Sequence, residues 1–126
     1  MKHIIFTLLL LLGVGAVADE PMLKATSYKF VQATLGKSRA HFVEFGSESC
    51  YSCQEMGKKL YKIKKAHPEH NIEFINVKEE RQAAYDFKIR MIPTQLIFDE
   101  KGKEVYRHIG ILQDDEIQAL LKKHKI

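Results

Sequence analysis

Two residues carry most of the chemistry that this chain offers. Its only cysteines stand three positions apart in Cys50-Tyr51-Ser52-Cys53, just beyond an apolar run at residues 41–46. Where such a pair opens a helix, both thiols share one face and can close a small disulfide. The unpaired N–H groups of the first turn also favour a thiolate at the first cysteine. That is redox chemistry. Two other uses of the spacing are open: half of a four-ligand zinc site, or a structural bridge. The zinc reading lacks a second pair, and His67 and His70 lie too close together and too far from the cysteines to complete a finger-like pattern. A bridge closing so short a loop removes little entropy from the unfolded chain, so stability is a poor reason for it. No metal ligand set is assigned, and no cofactor-binding pattern accompanies the pair.

The elements that must position these thiols can be read from pattern. A helix is expected over residues 21–35, with Tyr28, Val31 and Leu35 on one side and Gly36 ending it. Residues 40–45 read as a strand that is apolar on both faces, as in a sheet covered by helices on each side. Glu44 interrupts that run, and a carboxylate there is costly to bury alone. It points either to an edge, paired with a lysine, or beneath the cysteine pair as a proton acceptor. A helix over 50–66 turns Met56, Leu60 and Ile63 inward and its lysines outward. A strand over 72–77 and a short helix over 79–87 follow, which implies parallel strands joined by crossovers. Strands at 95–98 and 104–109 flank a turn at Gly102 and form an antiparallel hairpin. After Gly110 a last helix over 113–123 is acidic in its first turn and basic in its last, matching its dipole.

Of the 126 residues, the first eighteen form a separate pattern: a short basic start, an apolar run over 4–12 broken only by Thr7, and Ala16-Val17-Ala18. This is the layout of a cleaved secretory signal. Its removal leaves one domain, residues 19–126, with a formal charge of +3 rather than +4, because Lys2 is lost and no acid is. An uncleaved, membrane-anchored N-terminus is the alternative. Export places the cysteines in an oxidising compartment, where a partner must keep them reduced if they are to act as thiols. The lysine runs at 58–65 and 122–125 read as solvated helix faces without interleaved aromatics, so no nucleic-acid partner is expected.

Together, the element order, the acid-bearing strand before a CxxC helix, the step Ile92-Pro93-Thr94 before the hairpin, and Gly110 after it resemble the thioredoxin family. The resemblance covers residues 28–121. It implies an α/β three-layer sandwich: a central mixed sheet with parallel strands plus a C-terminal antiparallel hairpin, and helices on both faces. It further implies Cys50 as the exposed nucleophile, Cys53 as the buried resolving thiol, Pro93 as a cis proline against the pair, and Glu44 at the family's buried aspartate. Ile92, Pro93 and Tyr51 would contact the client. The chain departs from the family in three places: Ser49 replaces an aromatic, Tyr51-Ser52 replaces Gly-Pro, and Phe74 stands where a buried lysine is common.

The expected function is thiol-disulfide exchange on exported, disulfide-containing proteins. The favoured form is a monomeric periplasmic reductase fed by a transmembrane thiol carrier and serving cytochrome c maturation. A general exported oxidase or isomerase is the alternative, with a noncatalytic metal-delivery module using Met56 or Met91 as the third reading. The carboxylates of Glu44 and Glu48 are expected to oppose a thiolate at Cys50 and hold the pair toward the reducing side.

Overall fold

A computed structural model describes Gly15 and residues 20–126. The signal-like segment therefore lies outside the described residues, apart from Gly15. Among those described, no helix is long and apolar enough to cross a membrane.

Four strands form one sheet in the order β2-β1-β3-β4: β1 His41–Gly46, β2 Ile72–Asn76, β3 Thr94–Phe98 and β4 Glu104–Ile109. β1 runs parallel to β2 and antiparallel to β3, and β3 and β4 make the hairpin. Helices α1 Tyr28–Thr34, α2 Tyr51–Ala66, α3 Arg81–Asp86 and α4 Asp114–Lys123 supply the outer layers. Alternation along each strand divides the core in two. Phe42 and Ile97 pack with Met56 and Leu60 of α2 and Ile117 and Leu121 of α4. Val43, Phe45, Ile75 and Leu96 pack with Tyr28 and Val31 of α1 and Ala83 of α3. This is the three-layer mixed-sheet sandwich that the sequence implied.

The first helix is shorter than its pattern predicted. Residues 21–27 are not helical, because tertiary partners take their backbone groups: Leu23 N–H donates to the Gly57 carbonyl (2.9 Å) and Thr26 N–H to that of Phe74 (2.7 Å). An isolated parallel bridge, Ala25 to Phe74, covers the outer edge of β2. Ser27 then starts the helix as its N-cap, accepting from Phe30 N–H at 3.2 Å. Leu35 is the C-cap, and Gly36 beyond it takes φ 74°. The hairpin turn is held by Asp99 Oδ1, which accepts from the N–H groups of Lys101 and Lys103 at 2.9 Å each, with Gly102 at φ 81°.

Candidate functional site

β1 ends at Gly46, and the loop after it delivers Cys50 as the N-cap of α2. An N-cap side chain faces the unpaired N–H groups of the first turn. Cys50 Sγ accordingly accepts from Cys53 N–H at 3.4 Å and lies 3.4 Å from Ser52 Oγ. Cys53, one turn on, is buried with 1% exposure. It fits there because Gly46 has no side chain: a Cβ at that position would come within 3.1 Å of Cys53 Sγ. The two thiols are not bridged.

Their environments set them apart. At Cys50 partial burial works against the thiolate, but hydrogen bonds from Cys53 and Ser52 outweigh it and pull the thiol below its ordinary value. At Cys53 burial, then the hydrogen bond and charge of Cys50, with the charge of Glu44 adding, push the thiol up to about 12, against a smaller opposing pull from a Ser47 backbone hydrogen bond. One thiol is poised to attack while the other keeps its proton.

Glu44 does not lie at an edge, because β1 is flanked by β2 and β3. It is 1% exposed in the middle of the sheet, on the α2 side, where Gln95 Nε2 approaches both of its carboxylate oxygens at 3.3 Å. Burial holds its carboxyl well above the usual carboxylate range; the Gln95 contact opposes this and the charge of Cys50 adds to it. The expectation that Glu44 and Glu48 suppress the Cys50 thiolate fails on both counts. Glu48 is exposed to solvent, which screens it, and burial favours the neutral form of Glu44, so the local hydrogen bonds prevail.

The Ile92–Pro93 peptide bond is cis. Thr94 pairs with Phe45, so Pro93 stands one step beyond, at the sheet end where Gly46 leads to the cysteines. The Pro93 carbonyl accepts from Gly110 N–H at 2.8 Å, tying this segment to the end of β4. Tyr51, Met91, Ile109 and Ile111 are exposed apolar side chains on the segments that meet at this end, and Ile92 is half-buried. Thus the six residues singled out from sequence (Glu44, Cys50, Tyr51, Cys53, Ile92 and Pro93) converge on one end of the sheet.

Three neighbours escaped sequence reading. Lys78 Nζ donates to Ser49 Oγ at 2.7 Å, and Ser49 Oγ also meets Ser47 Oγ at 2.9 Å, so the position that lacks an aromatic is instead bound to the β2–α3 loop. Gln95 and His108 join Glu44 through the register of β3 and β4. A glutamine inside the apolar run of β3 was the available signal. His67, Glu69 and His70 do come together at the other end of α2, with His67 Nδ1 3.1 Å from Glu69 and the two rings stacked at 4.7 Å.

Residues 28–125 match the family model of the thioredoxin-like domain. The chain belongs to the thioredoxin-like family. Among curated thioredoxin relatives it is 27% identical over 82 residues to the mitochondrial thioredoxin of Mus musculus, covering 64% of this chain and 49% of that protein. It is 26% identical over 83 residues to the thioredoxin of Chlamydia trachomatis, covering 66% of this chain and 80% of that one. The chain thus spans about half the length of the mouse relative. Solved thioredoxin structures share the fold. That of Malassezia sympodialis superposes with a TM-score of 0.69 at 22% identity, covering 88% of this chain and 96% of that one. The thioredoxin of Fasciola hepatica gives 0.64 at 24%, covering 76% and 88%.

Proposed function

We propose that this chain is an exported thiol:disulfide oxidoreductase that reduces protein disulfides. The observation that carries the reading is the opposition of its thiols: Cys50 lowered and partly exposed, Cys53 raised and buried. In the capture step the Cys50 thiolate attacks one sulfur of a client disulfide. That S–S bond breaks, the other client sulfur leaves as thiolate and takes a proton from water, and a Cys50–client disulfide forms. In the resolving step, when Cys50 no longer carries a charge, the carboxylate form of Glu44 takes the Cys53 proton and Cys53 attacks Cys50 Sγ. The Cys50–client bond breaks, the client leaves fully reduced, and the Cys50–Cys53 disulfide holds the oxidising equivalents. Tyr51 and the half-buried Ile92, with the exposed apolar side chains beside them, form the client surface around the buried Pro93.

The leader-like first eighteen residues support action in a periplasm. There the disulfide must be reduced again by a thiol donor, which we assign to a transmembrane thiol carrier, with apocytochrome c among the clients. A second reading, as an exported oxidase, is favoured by the hydrogen bonds that stabilise the Cys50 thiolate, since a stable reduced form makes a stronger oxidant.

The test combines turnover with a potential. With a chemical thiol donor the protein reduces insulin, Cys50→Ala abolishes turnover, and Cys53→Ala accumulates mixed disulfides. Full activity in both variants sinks the exchange mechanism. Equilibration with glutathione separates the two readings: a reductase lies nearer about −270 mV and an oxidase nearer about −120 mV.

A further inference from the structure

The partner of Glu44 is itself held in a definite orientation. Gln95 is fully buried, and its Nε2 group also donates to the Gly110 carbonyl at 2.9 Å. Its Oε1 meets His108 Nδ1 at 2.7 Å. A carbonyl oxygen only accepts, so His108 Nδ1 carries the proton in this bond. Turning the amide over would set its oxygen against the Gly110 carbonyl, which can only accept, so that contact selects the orientation and the His108 tautomer follows from it. The register makes the arrangement a row: Glu44 on β1 faces Gln95 on β3, which faces His108 on β4. The row runs from beneath the cysteines to the half-exposed edge strand, where His108 sits.

We propose that Gln95, oriented by His108, is a positioning residue that holds a fixed donor against Glu44 and so keeps its carboxylate available for the Cys53 proton in the resolving step. This rests on the reading of Glu44 as proton acceptor. The amide does not relay the proton, because it has none to lose near neutral pH. It acts by favouring the charged form of a carboxyl that burial alone would keep neutral. The titratable groups around Glu44 are Cys50 and Cys53 from α2, with His108 beyond Gln95 on β4, while β2 presents Phe74 at the paired position. The side-chain bonds to the Glu44 carboxylate come from this neutral amide.

The test uses the full-length protein and Ellman's reagent. Capture by Cys50 releases one thionitrobenzoate, and attack by Cys53 releases the second, so a single turnover reads both steps. Carboxyl carbon NMR of the reduced protein reads the Glu44 titration directly. Gln95→Met keeps the volume and removes the donor. Its Glu44 midpoint should move up by about one pH unit, the low end for a hydrogen bond to a charge because both contacts are long. The pH profile of the second release should move up equally, which below the midpoint is about tenfold slower at a given pH, while the first release keeps its rate. His108→Leu should move both in the same direction by less, and decides the matter if Gln95→Met does not fold. Unmoved Glu44 midpoints, or equal slowing of both releases, overturn the proposal. If Glu44→Gln leaves the second release unchanged, the acceptor role itself is wrong and the resolving-step role of Gln95 falls with it. If Glu44→Gln slows that release but Gln95→Met does not move its pH profile, only the role of Gln95 fails.

Discussion

Differential alkylation of the two thiols tests the asymmetry at the centre of the site. Only the thiolate reacts with iodoacetamide, so the rate at each cysteine follows its thiolate fraction and its access. Cys53 is pushed to about 12 from an ordinary 9.0. Three units correspond to a thiolate fraction about a thousandfold below that of an ordinary cysteine at the same pH. Burial slows the reagent further, while Cys50 lies on the other side of the ordinary value and is partly exposed. In the reduced protein at pH 7, Cys50 should therefore label at least about a thousandfold faster than Cys53. Both cysteines fall in the tryptic peptide spanning 40–58, where fragment ions locate the label. Between pH 7 and 9 the Cys53 rate should climb about tenfold per unit without levelling, while the Cys50 rate should begin to level at a lower pH than that of an ordinary cysteine. Comparable rates at pH 7, or a Cys53 plateau below pH 9, would refute the reasoning. Cys50→Ala adds an internal check. It removes both the bond and the charge by which Cys50 raises Cys53, so Cys53 should label faster in the variant.

Two further outcomes follow from the same interior. The folded protein holds the Glu44 proton that the unfolded chain releases near pH 4.3, so stability should fall as pH rises from there to the folded midpoint, by about 1.4 kcal/mol per unit. Urea unfolding between pH 5 and 8 should show this slope reduced in Glu44→Gln, with the variant more stable at pH 8; an unchanged slope places the linkage elsewhere. Gly46→Ala sets a methyl 3.1 Å from Cys53 Sγ, 3.2 Å from its Cβ and 3.4 Å from the Phe74 ring. It should cost about 1–3 kcal/mol by overpacking and slow the resolving step while sparing capture. Unchanged resolution kinetics would show that the neighbours yield without moving the thiol.

What the sequence made legible was whatever depends on neighbours along the chain. The period of α2, the placement of Cys50 at its start, the hairpin with Gly102 and the break at Gly110 are local patterns, and the helices and strands form where they lead. The segment 21–27 defeated the same reasoning because its partners, Gly57 and Phe74, are distant in sequence. The charge balance at Cys50 failed for a related reason. Sequence proximity put Glu48 two residues away, but folding leaves its carboxylate in water. Gln95 shows the opposite error. It stands 51 residues from Glu44, and only the register of β1 with β3 shows that the two side chains meet.

That pairing gives the site an order of events. Glu44 has an uncharged amide as its donor, so its ionisation remains sensitive to the charge of Cys50. While Cys50 is a thiolate, a second negative charge beneath it is disfavoured, and Cys53 is held protonated by the bond and charge of the same sulfur. Capture of a client changes this without any movement of the fold. Cys50 Sγ becomes a neutral disulfide sulfur, so its charge no longer raises Glu44 or Cys53. Glu44 can then hold a negative charge at lower cost, and Cys53 can lose its proton to it, at the moment when the mixed disulfide is there to be attacked. A permanent cation beside Glu44 would stabilise its charge whether or not a client is bound. The Gln95 amide stabilises it by less, which leaves client capture able to set the timing.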